Sequence, residues 1–251
     1  MPDPASALLL AVVATAVGFF IGAVGVGGVL LIPFLVLVGR LDIHAAAATA
    51  LFTFLFTGLL GTWLFQRRGS IRWRLAVPVC AGALIAGYLG VAAASRIDPR
   101  PLTLLIAAII MVAGLWVLRP APERATSRDG GSPGDIATLL GVGAASGFGS
   151  GLSGAGGPLF SVPIMVLLGF SPLAAIGVSQ VIQIVAAVSG SLASVQDGRI
   201  HFGIAAWVTV FELAGVVAGT WLAHSVSGVV LRRIAAWLCI AVAALMAVRA
   251  W

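Results

Sequence analysis

Long apolar stretches without a single Lys or Arg dominate this chain, at 5–25, 45–65, 75–94, 102–118 and 202–223. About 20 such residues let a helix cross the hydrocarbon of a bilayer. Lipid offers an open backbone no hydrogen-bond partner, so the stretches are predicted to be spanning helices. Hydrophobic residues make up 61% of the chain and charged residues 9%, against roughly 25% charged in a soluble domain; no water-soluble core could hide that much apolar surface. The first stretch is longer than the roughly 7–15-residue apolar core of a cleaved signal peptide and lacks its basic start, so it is expected to remain as a helix. Cys80 and Cys239 both fall inside apolar stretches, where a thiol packs as a small hydrophobe, and no disulfide is expected.

All 14 basic residues are Arg, and the formal charge is +6. Their placement between apolar stretches (Arg67, Arg68, Arg72, Arg74; Arg96, Arg100; Arg119, Arg124, Arg128; Arg232, Arg233) is that of topology-setting charges at a membrane surface. It argues against nucleic acid as a partner and for the lipid bilayer.

The chain also repeats itself. Gly18, Gly22, Gly25, Gly27 and Gly28 recur with identical spacing as Gly147, Gly151, Gly154, Gly156 and Gly157. One inserted residue then pairs Pro33 with Pro163 and Gly39 with Gly169, and the original register returns where Gly69 and Ile71 match Gly198 and Ile200. The predicted fold is an all-α polytopic membrane protein of two homologous repeats, residues 1–118 and 136–251, joined by a Pro/Gly/Ser-rich linker at 119–135. Each repeat has a glycine-broken hairpin, a short half-helix (30–38; 159–168) and three spanning helices, for eight to ten helical segments in all. Ten helical residues cover only about 15 Å, so the short segments are half-helices or re-entrant arms. The Arg distribution fits parallel and inverted halves equally. Broken helices at corresponding positions of two halves favour inversion.

The hairpins are where chemistry is expected. Exposed backbone at membrane depth survives only where it lines a cavity or lies buried in protein. The N–H groups at the start of the following helix carry partial positive charge and can hold an anion without a buried Lys or Arg. Gly25, Gly27, Gly28, Ser153, Gly154, Gly156 and Gly157 are therefore candidate substrate-binding residues. Scattered glycines such as Gly82, Gly87, Gly215 and Gly219 are read as close helix packing instead. Downstream, Thr49, Thr53 and Thr57 share one helical face. In the register shifted by the insertion, Ser179 and Gln183 match Thr49 and Thr53, with Gln180 beside them. These hydroxyls and amides could donate to substrate oxygens, or serve only as interhelical hydrogen bonds.

Glu212 is the one carboxylate in the middle of an apolar stretch, an expensive placement that makes it the candidate proton-coupling residue; its equivalent in the first half is Ala83. His44, His201 and His224 lie near helix ends without the spacing of a metal site, and no metal or cofactor is expected. Trp63, Trp73, Trp207, Trp221 and Trp251 read as interface anchors or packing.

The paired Gly-x-Gly-Gly hairpins followed by proline (Gly25 to Pro33; Gly154 to Pro163), with the Arg67 to Trp73 loop echoed by Asp197 to Ile200, resemble the sulfite exporter TauE/SafE family of permeases. The resemblance covers nearly the whole chain. It implies a secondary transporter in a bacterial inner or plasma membrane, exporting sulfite or an organosulfonate and driven by protons or membrane potential. A homo-oligomer is compatible with this reading. The first hairpin departs from the second in having Val29 where the second has Pro158. Two other readings compete. Half-helices with glycine breaks also build passive anion channels. The Gly151-Leu152-Ser153-Gly154 string also resembles the nucleophile motif of rhomboid proteases, with His224 as a conceivable base; the repeat places Val24 where that nucleophile would be. An ATP-driven pump is disfavoured because no phosphate-binding loop is present.

Overall fold

The computed structural model describes residues 4–25, 27–118, 132–196 and 198–223, with single helical positions between 237 and 248. Most of the expected linker, 119–131, lies outside the described residues, as do Val26, Asp197, His224, Arg232, Arg233, Cys239 and Trp251.

Nine α-helices are present among the described residues: α1 (Pro4–Val24), α2 (Leu31–Leu37), α3 (Ile43–Arg67), α4 (Trp73–Ala94), α5 (Pro99–Leu118), α6 (Pro133–Ser153), α7 (Pro158–Leu167), α8 (Pro172–Gln196) and α9 (Phe202–Ala223). Six of them, α1, α3, α4, α6, α8 and α9, are long and apolar enough to cross a membrane. The chain is thus an all-helical, multi-pass membrane protein. Helix starts carry the expected signals: Asp42 accepts the N–H groups of His44 and Ala45 to cap α3, and Ser132 accepts from Asp135 ahead of Pro133 to cap α6.

The short helices α2 and α7, of 7 and 10 residues, span at most about 15 Å and cannot cross alone. Both are clad in protein: Leu31, Ile32 and Leu35 of α2, and Leu159, Val162 and Met165 of α7, are buried.

Two parallel pairs, α1 with α9 and α4 with α6, flank a central pair, α3 with α8. In the apolar windows of α3 and α8, 61% and 67% of residues are buried, against 33% and 39% in α4 and α9. The outer helices instead turn Ile85, Val210 and Trp221 outward, the arrangement a lipid solvent selects. Glycines set the flanking contacts. Gly215 and Gly219 lie on the Thr15 and Phe19 carbonyls of α1, and Gly143 and Gly147 on the Val79 and Ala83 carbonyls of α4. A side chain at any of these positions would separate the pair.

The contacts recur with partners exchanged. Gly18 packs on Glu212 and Gly147 on Ala83; Gly61 packs on Gln180 and Gly190 on Leu51. The second contact of each set joins the repeat counterparts of the two residues in the first. The same contacts show that α3 and α8 run antiparallel, since Leu51 meets Gly190 while the later Gly61 meets the earlier Gln180.

This register corrects the expected pairing of Thr49 with Ser179 and Thr53 with Gln183. The loop after α2 (38–42) is one residue longer than that after α7 (168–171), which absorbs the hairpin insertion before the long helices begin. The true equivalents are Ala50 with Ser179 and Phe54 with Gln183.

Candidate functional site

Each hairpin is made possible by glycine in the left-handed region, where a β-carbon is strained. Gly25 (φ 76°) ends α1 with its N–H on the Ile21 carbonyl, 3.0 Å away. Gly154 (φ 67°) ends α6 with its N–H 2.7 Å from the Ser150 carbonyl, and Gly156 (φ 81°) turns the chain into α7.

The two hairpins converge on the middle of the central pair. A β-carbon at Gly28 would stand 2.7 Å from the ring of Phe54 and 3.0 Å from the Ala155 carbonyl oxygen of the other hairpin. One at Gly156 would stand 3.2 Å from the same ring, and one at Gly157 3.1 Å from Ile182 and 3.6 Å from the Gln183 nitrogen. Gly25 approaches the Ser179 hydroxyl in the same way, at 3.2 Å. Gly27 instead folds back on α1, against Val17, Phe20 and Ile21. The hairpins therefore touch across an aromatic ring, and Phe54 is buried. Sequence patterns do not single out Phe54, because an apolar residue in an apolar helix carries no signal.

Around this junction the amides cross between elements. Gln183 Nε2 donates to Thr57 Oγ1 at 2.7 Å and to the Phe54 carbonyl at 3.2 Å, joining α8 to α3. Gln180 Nε2 donates to the Ile21 carbonyl at 3.3 Å, joining α8 to the end of α1. The carbonyl acceptors fix which end of each amide is the donor. The Oε1 atoms of both glutamines are buried without a hydrogen-bond partner among the described residues.

The hydroxyls are more locally employed. Thr53 and Ser179 donate to the Ala50 and Ile176 carbonyls of their own helices at 2.8 and 2.7 Å. Thr49 accepts the His201 N–H at 3.1 Å, tying α3 to the start of α9. Ser153 donates to the Gly149 carbonyl at 2.6 Å and accepts from the Ala155 N–H at 3.3 Å, so it closes the end of α6. A hydroxyl so placed and fully buried serves the hairpin, not nucleophilic attack.

Three hydroxyls near the second hairpin escaped the sequence reading. Ser146 and Ser150 of α6 and Ser161 of α7 are fully buried with no partner among the described residues. Ser146, Ser150 and Ser153 fall on one helical face by their spacing. Polar matching between the repeats passes over Ser146 and Ser150, because their equivalents Val17 and Ile21 are apolar. Unpartnered hydroxyl rotors are the groups best able to turn a proton toward an entering oxyanion.

Glu212 is also fully buried, with its backbone against Gly18. Neither carboxyl oxygen has a partner within hydrogen-bond distance among the described residues. The Thr53 hydroxyl is the polar group acting on it, and that hydroxyl already donates to Ala50. The group lies on α9, which packs against α1 and α3.

Comparison with known proteins agrees with this architecture. The family described as Sulfite exporter TauE/SafE matches the chain over residues 9–246. Among curated proteins, the chain is 26% identical over 233 residues to "Probable membrane transporter protein YdhB" of Bacillus subtilis (strain 168), covering 90% of this chain and 94% of that one. It is 24% identical over 107 residues to "Probable membrane transporter protein YunE" of the same organism, covering 42% of this chain and 39% of that one. No solved structure matches. The family match takes in both hairpins and all six long helices, and the chain belongs to the sulfite exporter TauE/SafE family of membrane transporters, which are not enzymes.

Proposed function

We propose that this transporter is a secondary exporter of a small sulfur oxyanion, sulfite or an organosulfonate, and that the substrate binds where the two hairpins meet the central helices. The observation that carries the reading is the convergence of both hairpins on α3 and α8 at Phe54 and Gln183, with unpartnered buried hydroxyls alongside. The binding groups are Gly25, Gly27, Gly28, Gly154, Gly156 and Gly157 through their backbone, with Thr49, Thr53, Ser153, Ser179, Gln180 and Gln183 around them. A sulfonate presents three oxygens to such N–H and O–H donors, and helix starts supply the positive potential.

The repeats, residues 1–118 and 136–251 about the 119–135 linker, are inverted in this reading. The antiparallel run of α3 and α8 supports it, since equivalent helices of parallel repeats would run the same way. Exchange of roles between the halves then alternates access to the site. Glu212 couples the cycle to protons: a buried carboxyl whose oxygens lack a hydrogen-bond partner among the described residues is a group positioned to gain and lose a proton as its surroundings change.

Closure of the junction by the Phe54 ring argues for a carrier over a passive channel, because a permanently open path would leave these groups hydrated. The test is counterflow of labelled sulfite and sulfoacetate in proteoliposomes. Saturable exchange of either is expected, absent with Gly156→Val. A folded protein exchanging neither would overturn the substrate assignment, and conductance far above carrier turnover would replace the carrier with a channel.

A further inference from the structure

A small cavity opens at the end of the central pair where α3 begins and α8 ends. It measures about 20 Å³ and is lined among others by His44, Ala47, Ser95, Gly151, Ser194 and Arg199. That volume holds about one water. It adjoins the second hairpin: Ala47, which lines the cavity, is the residue against which Gly154 packs, its β-carbon 2.6 Å from where one on Gly154 would be. The lining is mostly apolar, and His44, Ser95, Ser194 and Arg199 are its polar members. Arg199 and His44 are half-buried there. The His44 ring interacts with the Ile97 carbonyl, and Arg199 and Asp42 are the charged groups acting on it. The Asp42 carboxylate is turned into the start of α3, accepting the N–H groups of His44 and Ala45.

The duplication supplies the control for this cavity. In the register of the repeat, the positions of His44, Ser194 and Arg199 are those of Leu173, Phe65 and Ser70 at the other end of the central pair. That end is shut. Phe65 is fully buried, the Ser70 carbonyl would be 2.7 Å from a β-carbon at Gly177, and Arg68 Nη1 donates to the Thr220 carbonyl at 3.0 Å. The same fold therefore does not require a cation, an imidazole or a hydroxyl at these places.

Resting on the anion-transport reading above, we infer that the Arg199–His44 cleft is a recruitment subsite, where the oxyanion headgroup is held between solvent and the second hairpin. A guanidinium matches two oxygens of a sulfonate or sulfite at once. Ser95 and Ser194 donate to the Ala92 and Gly190 carbonyls of their own helices at 3.0 Å each, and can turn to a ligand. The cavity itself admits only about one water, so the headgroup is held at Arg199 and His44 until α3 and α8 part.

The test places Ser95→Cys in full-length protein carrying Cys80→Ala and Cys239→Ala, reconstituted in liposomes. The rates of thiol modification by an anionic and a cationic methanethiosulfonate are compared, each normalised to a free thiol in solution. An anionic preference of about thirty-fold is expected, since one unit-charge contact in a water-like medium is worth about five-fold and attracts one reagent while repelling the other. Arg199→Gln should abolish it and Arg199→Lys keep most of it. If Arg199→Gln does not fold, the preference in the Arg199 protein should still collapse toward unity at high salt. No preference, or one indifferent to both Arg199→Gln and salt, overturns the subsite. Sulfoacetate should slow the anionic reagent. A preference that persists without such protection upholds an anion subsite and counts against the sulfonate assignment, which separates the two failures.

Discussion

Gly154 and Gly198 have nearly the same backbone conformation, φ 67° and 65°, in opposite surroundings, and replacing each by alanine isolates what the hairpin junction is worth. In the left-handed region alanine costs about 1–2 kcal/mol, of which about 0.4–1 kcal/mol returns through a less flexible unfolded chain. For Gly198, which has nothing within 4 Å of an added β-carbon, the loss should be about 1 kcal/mol. At Gly154 that atom would lie 2.6 Å from the Ala47 β-carbon and 2.8 Å from the Ala47 carbonyl oxygen, so α3 or the hairpin must shift. Overpacking of this kind adds about 1–3 kcal/mol, giving about 2–4 kcal/mol for Gly154→Ala. Denaturant unfolding in a fixed detergent, followed by tryptophan fluorescence, measures both variants against the unsubstituted protein. Counterflow in proteoliposomes should fall with Gly154→Ala and survive Gly198→Ala. Equal losses of stability in the two variants would refute the close approach of the second hairpin to α3.

Three further outcomes are expected. Gln183→Leu removes the donor shared by Thr57 and the Phe54 carbonyl and should lower stability by about 1–2 kcal/mol, given roughly 0.6 kcal/mol and at most about 1.7 kcal/mol per interhelical bond in a membrane. Counterflow should drop far more than that, and full transport by the variant would leave the amide only a structural role. Phe54→Leu shortens the ring between Gly28 and Gly156 and should raise passive anion leak, read with an entrapped anion-sensitive dye; unchanged leak would show that the ring is not the seal. Glu212→Gln should fold and exchange substrate while losing the dependence of transport on the proton gradient, and a gradient response equal to that of the parent protein would end the coupling role.

How far the sequence could be read varies with the kind of signal. Most spanning helices and the duplication were legible because lipid imposes a length and a polarity on every crossing segment; the expected span at 102–118 falls in α5, which is not among the six helices of the described residues that are long and apolar enough to cross. The half-helices were legible within a residue or two, since proline and paired glycines mark their starts: 30–38 was expected against Leu31–Leu37, and 159–168 against Pro158–Leu167. Register inside the repeat was not. An insertion at the second hairpin and a compensating loop after α2 cancel, and only contacts such as Gly61 on Gln180 beside Gly190 on Leu51 reveal it. Nor was the partner of each polar group legible. Thr49, Thr53 and Thr57 form one sequence ladder, yet one ties down α9, one bonds its own helix and one meets Gln183. Periodicity places a side chain on a face and leaves open what that face touches.

The departures from the repeat carry more functional weight than the repeat itself. Two halves that exchanged every contact would present the same affinity and the same gate at both ends of the central pair. Direction would then come from the gradients alone, and loading and release would be equally easy on either side. This chain breaks the exchange at a few places: Gln183 against Phe54 at the junction, Ser146 and Ser150 against Val17 and Ile21, Glu212 against Ala83, and Arg199 against Ser70. At the junction the change sets the Gln183 amide of α8 opposite the Phe54 ring of α3. At the ends it sets the Arg199–His44 cleft opposite an end closed by the buried Phe65 and by Arg68 on the Thr220 carbonyl. Each substitution places charge or hydrogen-bonding capacity where the related position shows the fold can do without it. In a membrane such groups are costly to hold, and departures of this kind are what a carrier needs to bind an anion differently on its two faces.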